Sequence, residues 1–367
     1  MNRRTMMVLG VALALLATGV FAQDSADSFD PSNITWTCPE GYEGQTLNIY
    51  NWATYIGNET VRTFERLCGV TVVYDVYDSN ESMVARLRQS NPGYDIAVPS
   101  DYIIPVMINE ELIVPLDKDM IPNLANISER WLNPPYDPED AYTAAYMWGS
   151  TGIAYNVNKV SEPLDTWEEF FNHSGPVAWL DDPRSMLSFA LDFLGYDPNS
   201  VDADEITEAR DFLLDHSANV LTIAADDGQA LLERGEVDAV IEFGGDIYQL
   251  LLDCECEDYA YVLPESGFIL DVAGMVVLAD GPNPELAHVF IDFVLDPYVN
   301  AWIVNDIAYP TANQAAIDSG VITADLLDNA QVFPDVDNPE AWFLEDIGDA
   351  DVLYNDAWDE LRILIGR

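Results

Sequence analysis

Aromatic rings and carboxylates recur where strand-like sequence gives way to turns in this chain. They are Trp52, Tyr55, Tyr102, Asp182, Phe243, Asp246 and Asp271, with the hydroxyl of Ser100 among them and Tyr309 in a late turn, and the set holds no histidine or lysine. A cleft built this way suits an alkylammonium ion, because ring faces attract a cation and shelter its methylenes while carboxylates fix its charged ends. A cation over a desolvated ring gains on the order of 2 kcal/mol and micromolar binding needs about 8 kcal/mol, so a few rings and two carboxylates suffice. An anionic cargo would need arginine or a phosphate-cradling loop. Only Arg184 is near, and its neighbours Asp181 and Asp182 are expected to neutralise it. Each residue also has a plainer use. Asp182 before Pro183 and Asp246 after Gly244-Gly245 could each cap a helix, and the rings could be ordinary core, so the signal lies in the set.

Catalysis finds less support. A Ser-His-Asp arrangement needs a histidine at a strand end, and His173, His216 and His288 stand elsewhere; Gly-x-Ser-x-Gly is absent. Paired carboxylates such as Asp182 and Asp271 leave glycosidase-type acid and base chemistry open by residue type. The expectation is a binding protein with no catalytic residue, no cofactor and no metal.

The elements that must position these residues alternate. Strand 47–52, helix 58–67 closed by Gly69, strand 70–77, a helix from Glu81 capped by Asn80, and strand 94–98 make a βαβαβ unit with a largely parallel sheet. Residues 111–142 are irregular and proline-rich, and 144–156 is a long apolar run that can pass from one lobe to another. A second alternating set follows: helix 166–172, strand 176–180, helices near 185–194 and 204–215, strand 219–224, helix 226–234, strand 237–243, helix 246–252 and strand 259–263. Residues 269–279 form the candidate return crossing, before helix 284–295, the stretch 296–305 and a last helix near 351–364. This predicts an α/β protein of two lobes, 46–150 with about 274–320 and 151–273 with about 321–367, and a ligand cleft between them.

The bulk numbers limit the partners. With 367 residues and 49% hydrophobic content the chain can build two cores. Residues 1–22 carry Arg3 and Arg4, an apolar run from Met6 to Phe21 and Ala22 before Gln23, which fits an export signal cleaved after Ala22 rather than an anchor. Residues 23–45 read as a polar leader strapped to the surface. The formal net charge is −51, deepened by two if Arg3 and Arg4 are removed, which excludes nucleic acid and anionic membranes as partners. The acids are spread over the whole surface, as in 202–205 and 346–351, so the charge names no ligand by itself. Four cysteines permit three pairings. Cys38 with Cys68 would tie the leader to the first helix and contribute roughly 3–4 kcal/mol. Cys254 and Cys256, one residue apart, could form only a strained disulfide or serve a metal.

Several ordered segments resemble the periplasmic spermidine/putrescine-binding proteins of ABC importers: IYNWATYI from Ile49, VYDVYDSNESMVARL from Val73, YDIAVPSDY from Tyr94, YMWGSTGIAYN from Tyr146 and AYPTANQAA from Ala308. The resemblance runs from about Leu47 to the C-terminus and implies a type II periplasmic binding protein that closes on its ligand by a hinge. It implies that Trp52 and Tyr55 form a first aromatic pair, that Ser100 and Tyr102 form a second ligand-touching turn, and that Tyr309 is a late aromatic wall. Asp182 then matches an acid of spermidine-binding members, Asp246 an acid of putrescine-binding members, and Asp271 the carboxylate at a terminal amine. Phe243 stands where tryptophan is usual, Thr54 where an acid is common, Ser185 where glutamate is common and Ile269 where an aromatic is common, and no polar contact is kept near Leu344. The implied protein is a periplasmic monomer that hands putrescine or spermidine to an inner-membrane permease. A different small amine or an amino-acid-like ligand, and a sensory partner such as a chemoreceptor, remain open.

Overall fold

Alternating Leu47 and Ile49, both buried, make the first strand, and polar Asn51 ends it. The structure, a computed structural model, describes residues 29–366, so the expected export segment and the first six residues of the leader, 23–28, lie outside the described residues. Eleven strands follow in chain order: β1 Thr46–Asn51, β2 Thr71–Val76, β3 Ile96–Ala97, β4 Ile113–Val114, β5 Thr143–Asn156, β6 Val177–Leu180, β7 Val220–Ala224, β8 Ala239–Phe243, β9 Tyr259–Val262, β10 Phe268–Leu278 and β11 Ala341–Phe343. They hydrogen-bond in the order β2-β1-β3-β10-β5-β8-β6-β7, with β4 and β11 on β10 and β9 on β5.

Two halves meet in the middle of this order. One holds the parallel pairs β1/β2 and β1/β3, the other β6/β7 and β6/β8, as crossover helices require. The sheet is not parallel throughout, however: β5 and β10 are antiparallel to each other, and β10 is antiparallel to β3 as β5 is to β8. These two long strands reach from one half to the other. Gly149 and Gly152 do not interrupt β5, which is continuous over all 14 residues. In the first half Phe64 meets Phe290 and Phe293 with ring centres 5.0 and 5.3 Å apart; in the second Trp167 stacks against Phe189 at 4.2 Å. Burying each such ring contributes on the order of 2–3 kcal/mol.

Local differences from expectation have local causes. The second helix runs Asn80–Gln89 and is capped by Ser79, whose hydroxyl accepts from the Ser82 N–H, which frees the Asn80 side chain for another use. The helix expected from Asp246 starts two residues earlier, at Gly244, so Asp246 is not its cap. Residues 296–305 are a helix, Pro297–Ile307, with Asp296 capping it. A short helix Ile104–Asn109 and the strand β11 gave no periodic signal because each is too short to show one. Cys38 and Cys68 are bonded, and the leader is further held by Trp36, which donates to Asp292 at 2.7 Å and packs on Phe293. Cys254 and Cys256 are bonded to each other, which leaves no thiolate there for a metal.

Candidate functional site

Each candidate side chain sits just beyond a strand or on a crossing strand. After β1 the Asn51 side chain accepts the Trp52 N–H, and the Trp52 indole N–H donates to the Val98 carbonyl at 3.0 Å. That bond pins the ring between Tyr77, at 4.7 Å, and Phe243, at 6.1 Å. Tyr55 meets Tyr309 edge-on at 4.7 Å, and its carbonyl accepts the Tyr146 hydroxyl. After β3 the Asn80 side chain accepts the Ser100 N–H and donates to the Tyr102 hydroxyl, which in turn donates to Glu81. After β6 Asp182 caps the helix Pro183–Leu194 by accepting the Ser185 N–H at 2.9 Å. After β8 comes Phe243, and Asp246 lies in the first turn of the helix Gly244–Cys254. Ile269 and Asp271 belong to β10.

All twelve of these residues, Thr54, Ser185 and Ile269 included, line one cavity, together with Asn80, Thr151, Asp226 and Leu344. Its empty space, mouth included, is about 550 Å³. Among the described residues no lysine, arginine or histidine lines it. The walls come from both halves and touch: Thr54 donates to Asp246, Tyr309 donates to the other oxygen of Asp246 at 2.7 Å, and the Ala53 N–H reaches Asp226 at 3.4 Å. Gly245 is required where it stands, since a β-carbon there would lie 2.0 Å from the Tyr309 ring. Tyr309 also lies beside Asp271, because a β-carbon on Gly149 would touch both.

A model of the family of bacterial extracellular solute-binding proteins matches residues 59–329. This chain belongs to that family. The putrescine-binding periplasmic protein PotF of Escherichia coli is 30% identical over 342 residues, covering 87% of this chain and 92% of that protein. A putrescine/agmatine-binding protein of Pseudomonas aeruginosa is 31% identical over 330 residues, 84% of this chain and 86% of its own length. Among solved structures, a putative spermidine/putrescine ABC transporter protein from Listeria monocytogenes superposes with a TM-score of 0.81 at 31% identity, covering 87% of this chain and 99% of its own. The fold of this solute-binding protein is accordingly the two-lobed type II periplasmic binding architecture, with the cavity between the lobes.

The acids of this solute-binding protein fall into two groups. In one, burial pushes Asp226 up, helped by Asp246, to about 8, and pushes Glu242 far up, helped by Asp246 and Asp226. Burial raises Asp246 too, against the hydrogen bonds from Thr54 and Tyr309. In the other group burial raises Asp271 to about 7, helped by Asp182. Asp182 is raised by burial against the Ser185 N–H and the Arg184 charge, and Glu81 by burial and then Asp182, to about 8. Acids held this way favour the proton until a cation supplies the missing counter-charge.

Asp181 does not neutralise Arg184. Asp181 accepts from Trp358 and pairs with Arg362 at 3.1 Å, while Arg184 lies 5.1 Å over the rings of both Tyr102 and Tyr354 and donates to the Glu345 carbonyl. The guanidinium is thus held behind Tyr102 and outside the cavity wall. Sequence reasoning missed Asp226 although the signal was present, since Asp226 follows the strand 219–224 as the other acids follow theirs. Thr151 was hidden inside a long apolar run, and Asn80 was assigned to a cap it does not make.

Proposed function

We propose that this protein captures a polyamine, putrescine or spermidine, outside the inner membrane and delivers it to an ABC importer. The observation that carries this reading is that four carboxylates, Asp182, Asp226, Asp246 and Asp271, converge with the rings of Trp52, Tyr55, Tyr102, Phe243 and Tyr309 on a cavity without a cationic side chain. Such a site stabilises a dication at both ends and rejects anions. The names of the relatives above support the same ligand class. In this reading Ser100, Thr54, Ser185 and Ile269 complete the wall, the protein is exported with residues 1–22 removed, and it acts as a monomer without enzymatic activity. Among the described residues no helix is long and apolar enough to cross a membrane. The lobes are proposed as 46–150 with about 274–320 and 151–273 with the remainder. Ile322, Leu326 and Val332 pack in the core of the first lobe, which supports drawing the last crossing closer to Ala341 than to residue 321.

A thermal-shift panel of putrescine, spermidine, spermine, agmatine and 4-aminobutyrate tests the reading, because a ligand bound only by the folded state raises the melting temperature by mass action. Di- and polyamines should give the large shifts. A shift from 4-aminobutyrate alone would favour the second reading, an amino-acid-like ligand. That reading has one observation behind it: neutral Ser185, whose N–H Asp182 accepts, and neutral Ile269 and Leu344 line the same cavity.

A further inference from the structure

Asp226, Glu242 and Asp246 each offer a carboxylate oxygen within 4.8 Å of the other two. Asp226 and Asp246 belong to the cavity wall, while Glu242, on β8, lies behind them with no exposed surface. One Glu242 oxygen accepts the Phe243 N–H at 2.9 Å; the other is fully buried and makes no well-formed hydrogen bond, although the Gln229 N–H acts on the carboxylate and partly opposes the effect of burial. Gly228 makes room for that free oxygen, since a β-carbon there would lie 2.2 Å from it. An unpaired buried carboxylate oxygen destabilises the fold, so a feature that keeps it and clears space for it calls for a partner.

We propose that these three carboxylates form a subsite for one primary ammonium group of the bound amine, with Asp226 and Asp246 touching it from the cavity and Glu242 accepting from behind. The geometry fits the three N–H bonds of such a group. Three oxygens that all lie within 4.8 Å of one another share a point no more than about 2.8 Å from each, so one ammonium placed among them can reach all three with charge-assisted N–H···O bonds. Calcium takes about six to eight oxygens and magnesium a near-octahedral set, more than the three gathered here. The subsite rests on the polyamine reading above and adds to it Asp226 as a determinant of affinity.

Charge supplies a second readout. Asp78 and Asp227 add to Asp246 in raising Asp226, and the hydroxyls of Tyr74 and Tyr309 also face the group. Without a cation at least one of the three acids therefore holds a proton near neutral pH, and an ammonium arriving there displaces it.

The test is calorimetry of putrescine with the whole protein at pH 7 in two buffers of different ionisation enthalpy, which counts protons released on binding. Asp226→Asn and Glu242→Gln are compared with wild type and with Asp271→Asn, which touches the other group of acids. The expected result is at least tenfold weaker binding for Asp226→Asn, at least threefold for Glu242→Gln, and fewer protons released by both. Asp226→Ser should repeat the first result, so that poor folding of one variant does not decide the matter. Wild-type behaviour of the Asp226 and Glu242 variants beside a weakened Asp271→Asn would overturn the subsite and leave the polyamine reading standing. Absence of any amine binding by wild type would remove both. Stabilisation of wild type by millimolar calcium or magnesium that competes with putrescine and is lost in Asp226→Asn would also overturn it, in favour of a metal site.

Discussion

The two groups of acids in the cavity are buried alike but held differently. Asp246 is gripped by Thr54 and Tyr309 from the opposite lobe and stands beside Asp226 and Glu242. The carboxylate of Asp271, among the described residues, accepts no hydrogen bond, and the charge that helps to raise it is Asp182, which is itself engaged as a helix cap. One group is therefore organised before any ligand arrives, and the other is left with its acceptor capacity open. In a two-lobed receptor this divides the labour. The contacts of Thr54 and Tyr309 with Asp246 draw the lobes together, while Asp271, on the reading proposed above, is left for a counter-charge that the ligand would bring.

The sharpest way to break that comparison is Asp271→Asn. If Asp271 meets an ammonium with no other partner, the variant leaves a buried cation unpaired, which costs about 3 kcal/mol or more. Putrescine affinity should fall by about a hundredfold or more by titration calorimetry. An unchanged dissociation constant would take Asp271 out of the site and make the Asp226 group the only charged contact.

How much of this was legible in the sequence follows from how the elements are built. The crossing strands β5 and β10 and both sets of alternating elements could be read because their apolar runs are long and their helices end in strong signals such as Gly69 and Gly195. The cavity could be read because its lining residues cluster where strands end, and the family resemblance supplied Thr54, Ser185 and Ile269, which no residue-type argument selects. The pairing of Thr54 with Asp246 was not legible, since it joins residues 192 positions apart across the cleft. Neither was the free oxygen of Glu242, because a glutamate within the apolar strand Ala239–Phe243 carries no sign in sequence of what its far oxygen meets. The neutralisation expected of Asp181 failed for the same reason: adjacency in sequence did not outweigh Arg362 arriving from the last helix.

A pH series sharpens the comparison next. Asp271 binds its proton up to about pH 7 and Asp226 up to about 8, both above the ordinary carboxylate range. Amine binding must displace those protons, so affinity should rise from pH 6 to pH 8 by about tenfold through Asp271 and by up to about fiftyfold through Asp226, and level off only about a pH unit above the higher of the two. Stability of the ligand-free protein should run the other way. The folded state holds protons that the unfolded chain gives up near pH 4, so this contribution is present at low pH and lost as pH rises through 7 to 8. Melting temperatures that rise between pH 5 and 8 without ligand, and do so equally in Asp226→Asn and Asp271→Asn, would contradict it.

Tyr309→Phe probes the pre-organised group alone. The ring keeps its contact with Tyr55 and its place over Gly245, and only the hydroxyl bond to Asp246 is lost. A hydrogen bond to a charged group contributes about 1.5–3 kcal/mol, but part of it is recovered by the ammonium, so a three- to tenfold loss in putrescine affinity is expected. A loss as large as that of Asp271→Asn would mean that the two groups are equally dependent on single contacts.

Asp182 gives the smallest effect and the cleanest separation of roles. Its Oδ1 caps the helix Pro183–Leu194, and its carboxylate also faces the cavity near Asp271. Asparagine caps helices as well as aspartate does, whereas alanine loses the cap at a cost of about 1 kcal/mol. Asp182→Asn should therefore keep the melting temperature within about a degree or raise it slightly, because one buried like-charge contact with Asp271 is relieved. Asp182→Ala should lower it by a few degrees. Amine affinity then measures the second role. If the charge of Asp182 contacts the ligand, both variants weaken binding to the same extent. If Asp182 only caps, putrescine binding is lost in neither, and recognition on that side of the cavity reduces to Asp271.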